Sequence, residues 1–357
     1  MYRYDTVPRG MALLIPIILL LGVSVSSALM VSLALNDRLQ SQNNSVEIET
    51  ARQMAQNQID SLKLRLSSTT DWQQNLTADE ISMIESINSF QMQQAQLTLA
   101  TLSSTGTGAS GRLQAAVTQA VLHLPILLNR PPAALILTTE PAASAGFELA
   151  AETARLALWS SQPVSFATGN RFTCSTESLR LTLCQSQARS GPLLVSGDVI
   201  TSDVHAPDDV IDYLFGVPHN EMDLLRPLAH RFYENDCPTE QDGGFIWVTG
   251  NCSLPADTQL GSEQEPVLIL IKNGSLEMQQ GAVIFGLVVS LRHDSGFSYG
   301  LSMSVNAKIK GALLVNHSMS EDSAITIEYA PDLLANLQNH PDLQRLLPLP
   351  GSWRDFL

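Results

Sequence analysis

Charge is sparse in this sequence, and positive charge is sparser still. Charged residues make up 15% of the chain, with 20 Lys and Arg against 35 Asp and Glu, for a net charge of −15. A chain this acidic lacks the basic surface that would hold a phosphate backbone or an anionic lipid face, which excludes nucleic acid as a partner. Metal-ligand patterns are missing too. There is no C-x-x-C and no H-E-x-x-H, and the seven histidines (123, 205, 219, 230, 293, 317 and 340) are scattered along the chain. One Gly-rich string, Gly106-Thr-Gly108-Ala-Ser-Gly111, spells G-x-G-x-x-G. No βαβ pattern surrounds it and no acid stands at the ribose position, so it reads as a linker. Neither a cofactor nor a metal is expected.

What the sequence does have is one long apolar run. The 26 residues from Met11 to Asn36 carry no charge. As a helix they extend about 39 Å at about 1.5 Å per residue, enough to cross a hydrocarbon core of about 30 Å with some tilt. Arg3 and Arg9 precede the run, which predicts a cytoplasmic N-terminal tail with the remainder of the chain outside. Ser32-Leu-Ala34 has the small-x-small form of a signal-peptide cleavage site. The run exceeds the roughly 7–15 apolar residues of a secretory signal, so a retained anchor is expected.

Four cysteines, Cys174, Cys184, Cys237 and Cys252, fall on the expected outer side, where oxidising conditions allow disulfides. Pairing of sequence neighbours, Cys174 with Cys184 and Cys237 with Cys252, is one of the three connectivities open to them. Each bridge would contribute about 3 kcal/mol by closing a short loop.

Behind the apolar run, Ile48, Ala51, Ala55, Ile59, Leu62 and Leu66 recur in steps of three and four. That spacing puts them on one face, so the helix should run on to about Leu66 and pack on a folded head. A juxtamembrane coiled coil has the same periodicity. Asp71 to Leu102 reads as a second helix, opened by the capping box Thr77-x-x-Glu80. Ser103 to Gly111 has linker composition, and Arg112 to about Leu128 reads as a short helix. Strands are expected at Ala134–Thr138 and Pro192–Ser196, a helix near Phe147–Ser160, and two helical pieces over Pro207–Tyr233 broken at Gly216-Val-Pro218. From Phe245 onward the texture is strands and turns. Gly274-Ser-Leu276-Glu-Met278 with Ile284-Phe-Gly286 returns 25 residues later as Gly300-Leu301-Ser-Met303 with Ile309-Lys-Gly311. Such a repeat suggests stacked coils of a short β-solenoid, or two matching hairpins.

Two features carry a family resemblance. The first is the junction Arg9-Gly10-Met11-Ala12-Leu13-Leu14, a glycine between a basic leader and an apolar helix, followed by Thr50-Ala51-Arg52-Gln53-Met54-Ala55-Gln56. The second is an ordered series in the C-terminal third. It comprises Leu214-Phe-Gly-Val-Pro218, Gly244-Phe-Ile-Trp247-Val-x-Gly250, Pro266-Val-Leu-Ile, Ile284-x-Gly286-Leu, Gly311-Ala-Leu-Leu-Val and Pro350-Gly-Ser-Trp-Arg-Asp-Phe356. Together these resemble PilX-type minor pilins of type IV pilus systems. The glutamate common at the fifth mature position of pilins is replaced by Ile15, and Gln56 stands where the family usually has glutamate.

The resemblance implies cleavage by prepilin peptidase between Gly10 and Met11. It further implies a single inner-membrane span with a periplasmic ectodomain or a place at a fibre tip. Other major and minor pilins would be partners through the N-terminal helix, with a tip adhesin as a further partner. The expected fold is α+β. A leader (1–10) precedes a pilin-like helix (11–66), a helical segment with a Gly/Ser linker (67–130), a mixed region (131–244) and a β-rich C-terminal domain (245–357). Trp353 is expected to seal the core at the last strand.

A second reading is an anchored periplasmic binding module or hydrolase never assembled into a fibre. Gly296-Phe-Ser298-Tyr-Gly300 matches G-x-S-x-G, with His293 and Asp294 near in sequence. A β-like stretch follows it where a nucleophile elbow needs a helix, so a Gly-rich turn is the expectation and no catalytic residue is assigned. Asp236, Glu240 and Asp242 form an acidic loop beside Cys237 without the EF-hand order that calcium sites show.

Overall fold

The computed structural model describes residues 11–67, 76–168, 170–207, 209–239, 243–292 and 298–355, with side chains from 17 onward in the first helix. That helix, α1 (Met11–Ser67), runs for 57 residues, and no Gly or Pro follows Gly22 within it. Its far half lies on an antiparallel sheet of β1 (Ile84–Met92), β2 (Ala95–Thr107) and β3 (Gln114–Pro125). Ala55, Ile59, Leu62 and Leu66 are buried against Ala100, Leu102, Val117 and Val121, so the stripe expected from spacing is the packed face. Ile59, Leu62 and Leu66 contribute about 2 kcal/mol each on burial. Contact is closest at Gly106, where an added Cβ would stand 1.8 Å from the carbonyl oxygen of Ala51. Only a residue without a Cβ lets strand and helix backbones approach this far.

Three local expectations are overturned in this region. The described part of the stretch from Asp71 to Leu102 is helical only in α2 (Ala78–Ser82) and continues into β1 and β2. The capping box itself is present: Thr77 N–H donates to Glu80 Oε2 at 2.8 Å, and Glu80 N–H to Thr77 Oγ1 at 3.3 Å. Ser103–Gly111 is no free linker, because β2 runs through Thr107 and Gly106 seats the strand on α1. Arg112–Leu128 forms β3. Ala, Leu and Gln are good helix formers, but these stretches bury alternate residues on the helix stripe, and that packing decides.

The second sheet is parallel throughout and curled. The chain enters it with β4 (Ala133–Leu137), β5 (Gly146–Ala150), β6 (Leu156–Ser160), β7 (Arg171–Cys174) and β8 (Val199–Ile200), with α3 (Thr176–Arg180) between the last two. The helix expected at Phe147–Ser160 is therefore strands β5 and β6, and Pro192–Ser196 is a turn. Next come α4 (Val210–Phe215) and a 3-10 helix (His219–Leu228), the two pieces expected there. Gly216 ends α4 at φ +66°, a left-handed cap. Then follow β9 (Arg231–Glu234), β10 (Gly244–Thr249), β11 (Cys252–Leu254), β12 (Gln259–Leu260) and β13 (Val267–Lys272). The remaining strands of this sheet are β14 (Leu276–Met278), β15 (Val283–Leu291), β16 (Leu301–Met303), β17 (Lys308–Val315) and β18 (Ala324–Tyr329).

The pairing decides between the two expectations for the repeat. Leu276 lies opposite Leu301 and Gly286 opposite Gly311, both in parallel register, so the copies stack as coils and do not fold back as hairpins. Gly286 and Gly311 have φ of 152° and 137°, and an added Cβ would meet the preceding coil's carbonyl oxygen at 1.8 and 1.9 Å. The repeat is thus a stacking requirement written twice. The long strands are buried on both faces, as the apolar runs Val267–Ile271 and Ala312–Val315 require. Across the stack their order is β9-β10-β13-β15-β17-β4-β6-β8. The last coil made therefore lies beside the first.

Helix α5 (Pro331–Asn339) packs on β15 and β17. The chain then returns to the first sheet as β19 (Gln344–Pro348), antiparallel to β3.

Candidate functional site

The outer part of α1 is apolar and uncovered. Every large apolar side chain from Ile17 to Leu39 is more than half exposed. An 18-residue window here has mean hydropathy 2.4 with none of it buried, so among the described residues one helix, near the N-terminus, is long and apolar enough to span a membrane. Three of its four hydroxyls bond to carbonyls of the same helix. Ser24 donates to the Leu21 carbonyl at 2.9 Å, Ser26 to Gly22 at 2.7 Å and Ser27 to Ser24 at 2.9 Å. Polar groups paired internally in this way need no water, which is the condition for residence in lipid or in a bundle of helices. Met11 is the first residue of α1. Gly10 and the leader lie outside the described residues.

Farther along α1 the C-terminal tail crosses the helix. Arg52 donates to Asp355 Oδ2 at 3.0 Å and pairs with Glu49 at 2.9 Å, and its guanidinium stands 5.8 Å from the centre of the Trp353 ring. The hydrogen bond to Asp355, then that to Glu49, raises the Arg52 pKa above its usual value. Trp353 Nε1 donates to Gln56 Oε1 at 2.9 Å. Arg354 N–H donates to the Thr118 carbonyl at 2.8 Å, and the Ser352 hydroxyl accepts from Ala120 N–H at 3.1 Å. Trp353 is 42% exposed, so it clasps the helix surface and does not seal a core as expected. Two segments that carried the resemblance, around Arg52–Gln56 and Trp353–Asp355, touch each other in space. Phe356 lies outside the described residues.

The cysteines pair as sequence neighbours, Cys174 with Cys184 and Cys237 with Cys252, at Cα separations of 5.2 and 4.7 Å. The first bridge ties the loop around α3 to β7, and the second ties the segment after β9 to β11.

Ser298 is exposed and leads into strand β16, without the helix that a nucleophile elbow needs. His293, Asp294, Gly296 and Phe297 lie outside the described residues, as do Glu240 and Asp242 of the acidic loop. The fold does build one Ser–His pair that the sequence did not signal. Ser290 Oγ lies 2.7 Å from His317 Nε2, and His317 Nδ1 lies 3.0 Å from the Ser318 carbonyl oxygen. The carbonyl fixes the proton on Nδ1, so Nε2 accepts from the serine. Burial pushes the His317 pKa down to about 4. Both side chains are completely buried, so the pair satisfies two interior polar groups and offers no face to a substrate. Among the described residues, no group of three or more His, Cys, Asp or Glu is placed to hold a metal.

A comparison with protein-family models, curated proteins and solved structures finds no match to this chain.

Proposed function

We propose that this chain is a non-enzymatic, pilin-like minor subunit for type IV pilus assembly or priming, of the PilX type. One observation carries the reading: a single continuous helix divides into an uncovered apolar half and a half packed on an antiparallel sheet. Such a helix has two stable surroundings for its free half, a bilayer or a bundle of similar helices. Exchange between them keeps apolar surface out of water at every stage.

Prepilin peptidase removes residues 1–10 and leaves Met11 as the mature N-terminus. The helix then anchors the subunit in the inner membrane with the folded part in the periplasm, and later packs beside other pilins. The contact between the Arg52–Gln56 segment and the C-terminal tail supports the resemblance, because both segments belong to it. The exposed head is available to other minor pilins or a tip adhesin.

Mass spectrometry of the protein isolated from membranes tests the reading. A mature chain beginning at Met11 is expected. An intact residue 1, or a cut near Ala34, would overturn it. Loss of pili on deletion of the gene separates a pilus component from an anchored binding module that is never assembled.

A further inference from the structure

A cleft of about 420 Å³ opens between the β1–β2 hairpin and the C-terminal end of α5, where the first sheet meets the coil stack. Its volume falls in the range of about 300–1,000 Å³ usual for small-molecule sites. The lining is chemically uniform. Gln91, Gln94, Gln96, Gln338 and Asn339 contribute five amides, joined by Ser89, Arg130 and Phe90, and no carboxylate.

Several of these amides are held in one orientation. Gln338 is 3% exposed. Its Nε2 donates to the carbonyls of Leu127 at 3.0 Å and Leu128 at 3.1 Å, which occupies both protons and leaves Oε1 as an acceptor. Asn339 Nδ2 donates to the Ala335 carbonyl at 3.0 Å, leaving Oδ1. Gln94 is fixed the other way: its Oε1 accepts from the backbone N–H of Arg130 at 3.0 Å, leaving its NH2 as a donor. The cleft thus sets the side-chain oxygens of Gln338 and Asn339 on the α5 side against the NH2 of Gln94 on the hairpin side.

We infer that this cleft binds an uncharged oligosaccharide, held by the amides of Gln91, Gln94 and Gln338 and by Arg130. A sugar hydroxyl both donates and accepts, so a wall of oriented amides matches it at each position. Without carboxylates the cleft does not select a cation. A single arginine without a helix N-terminus or glycine loop does not form a phosphate site.

The test uses the full chain in an amine-oxide detergent, because glycoside detergents would compete. Maltotriose, cellotriose and triacetylchitotriose are titrated by calorimetry and by saturation-transfer NMR. At least one should bind with a Kd of about 1 mM or tighter. Gln91→Ala, Gln94→Ala and Arg130→Ala, each with an unchanged denaturation midpoint, should weaken it about three- to tenfold. Three results would overturn the inference: no signal from any of the three at about 10 mM, binding unaffected in all three variants, or displacement of the sugar by an uncharged Ser-Gln-Thr-Gln peptide, which would make this a peptide cleft. None of these results depends on where the N-terminus is processed.

Discussion

At the level of single residues, the chain relies on the absence of a side chain at Gly106 and on the burial of a neutral ring at His317. Replacing Gly106 by Val drives carbon into the Ala51 carbonyl and should lower stability by about 1–3 kcal/mol. Gly197, with open space around its Cβ position, is the matched control, and Gly197→Ala should stay within about 0.5 kcal/mol. Urea midpoints read both. Gly106 shows why composition misled: the string Ser-Ser-Thr-Gly-Thr-Gly has the makeup of a flexible linker. Its glycines are there so that a strand can touch a helix.

The histidine prediction concerns pH. His317 is held at about 4, and His123 is likewise pushed down to about 4 by burial. In the unfolded chain both titrate near 6.5. Above about pH 6.5 both states are neutral and the titration of neither group changes stability. As pH falls from about 6.5 to 4 the unfolded chain takes up protons that the folded chain refuses, so stability drops by about 3 kcal/mol for His317. Denaturation midpoints at pH 7 and pH 4.5 should differ in that direction, and His317→Gln should reduce the difference. The buried Ser290–His317 pair left no trace in the sequence, because its members lie 27 positions apart and follow no motif.

At the level of elements, α1 was readable and the first sheet was not. The helix announces itself through period: charge-free length in one half, and three- and four-residue steps in the other. Ile59 lies on the stripe and Leu64 off it. Ile59→Ala should therefore cost about 2–5 kcal/mol, while Leu64→Ala, at a position 75% exposed, should change stability by less than about 0.5 kcal/mol. Thermal melts of the two variants distinguish a packed stripe from an even coiled-coil surface. Strands β1 to β3 were misread because Ala, Leu and Gln favour helices locally, and only the sheet's contact with α1 overrides that preference. The same holds for β5 and β6, where Ala-rich stretches become strands between neighbouring coils. The amide cluster of the cleft was visible as Gln-Met-Gln-Gln-Ala-Gln over 91–96. Its meaning needed α5, which the sequence places some 240 residues away.

For the whole molecule, the 25-residue echo was legible and the architecture around it was not. Two copies in sequence leave stacked coils and paired hairpins both open, and nothing local says that β17 will lie beside β4 or that β19 will rejoin β3. Both contacts join distant parts of the chain. Removing residues 344–357 strips the strand that covers β3 and the tail that clasps α1. That truncation should leave the coil stack protected while making residues 95–125 sensitive to limited proteolysis. Equal protection of the two regions would argue against the tail as the clasp.

The adjacency of β17 and β4 also dictates timing. A strand synthesised well before the chain's midpoint has no partner on that side until the polypeptide is almost finished, and the sheet on the long helix stays open-edged for as long. Long-range pairing of this kind closes slowly and exposes unpaired edges meanwhile. Until its own tail arrives, the emerging polypeptide carries open strand borders to which a neighbouring copy could attach.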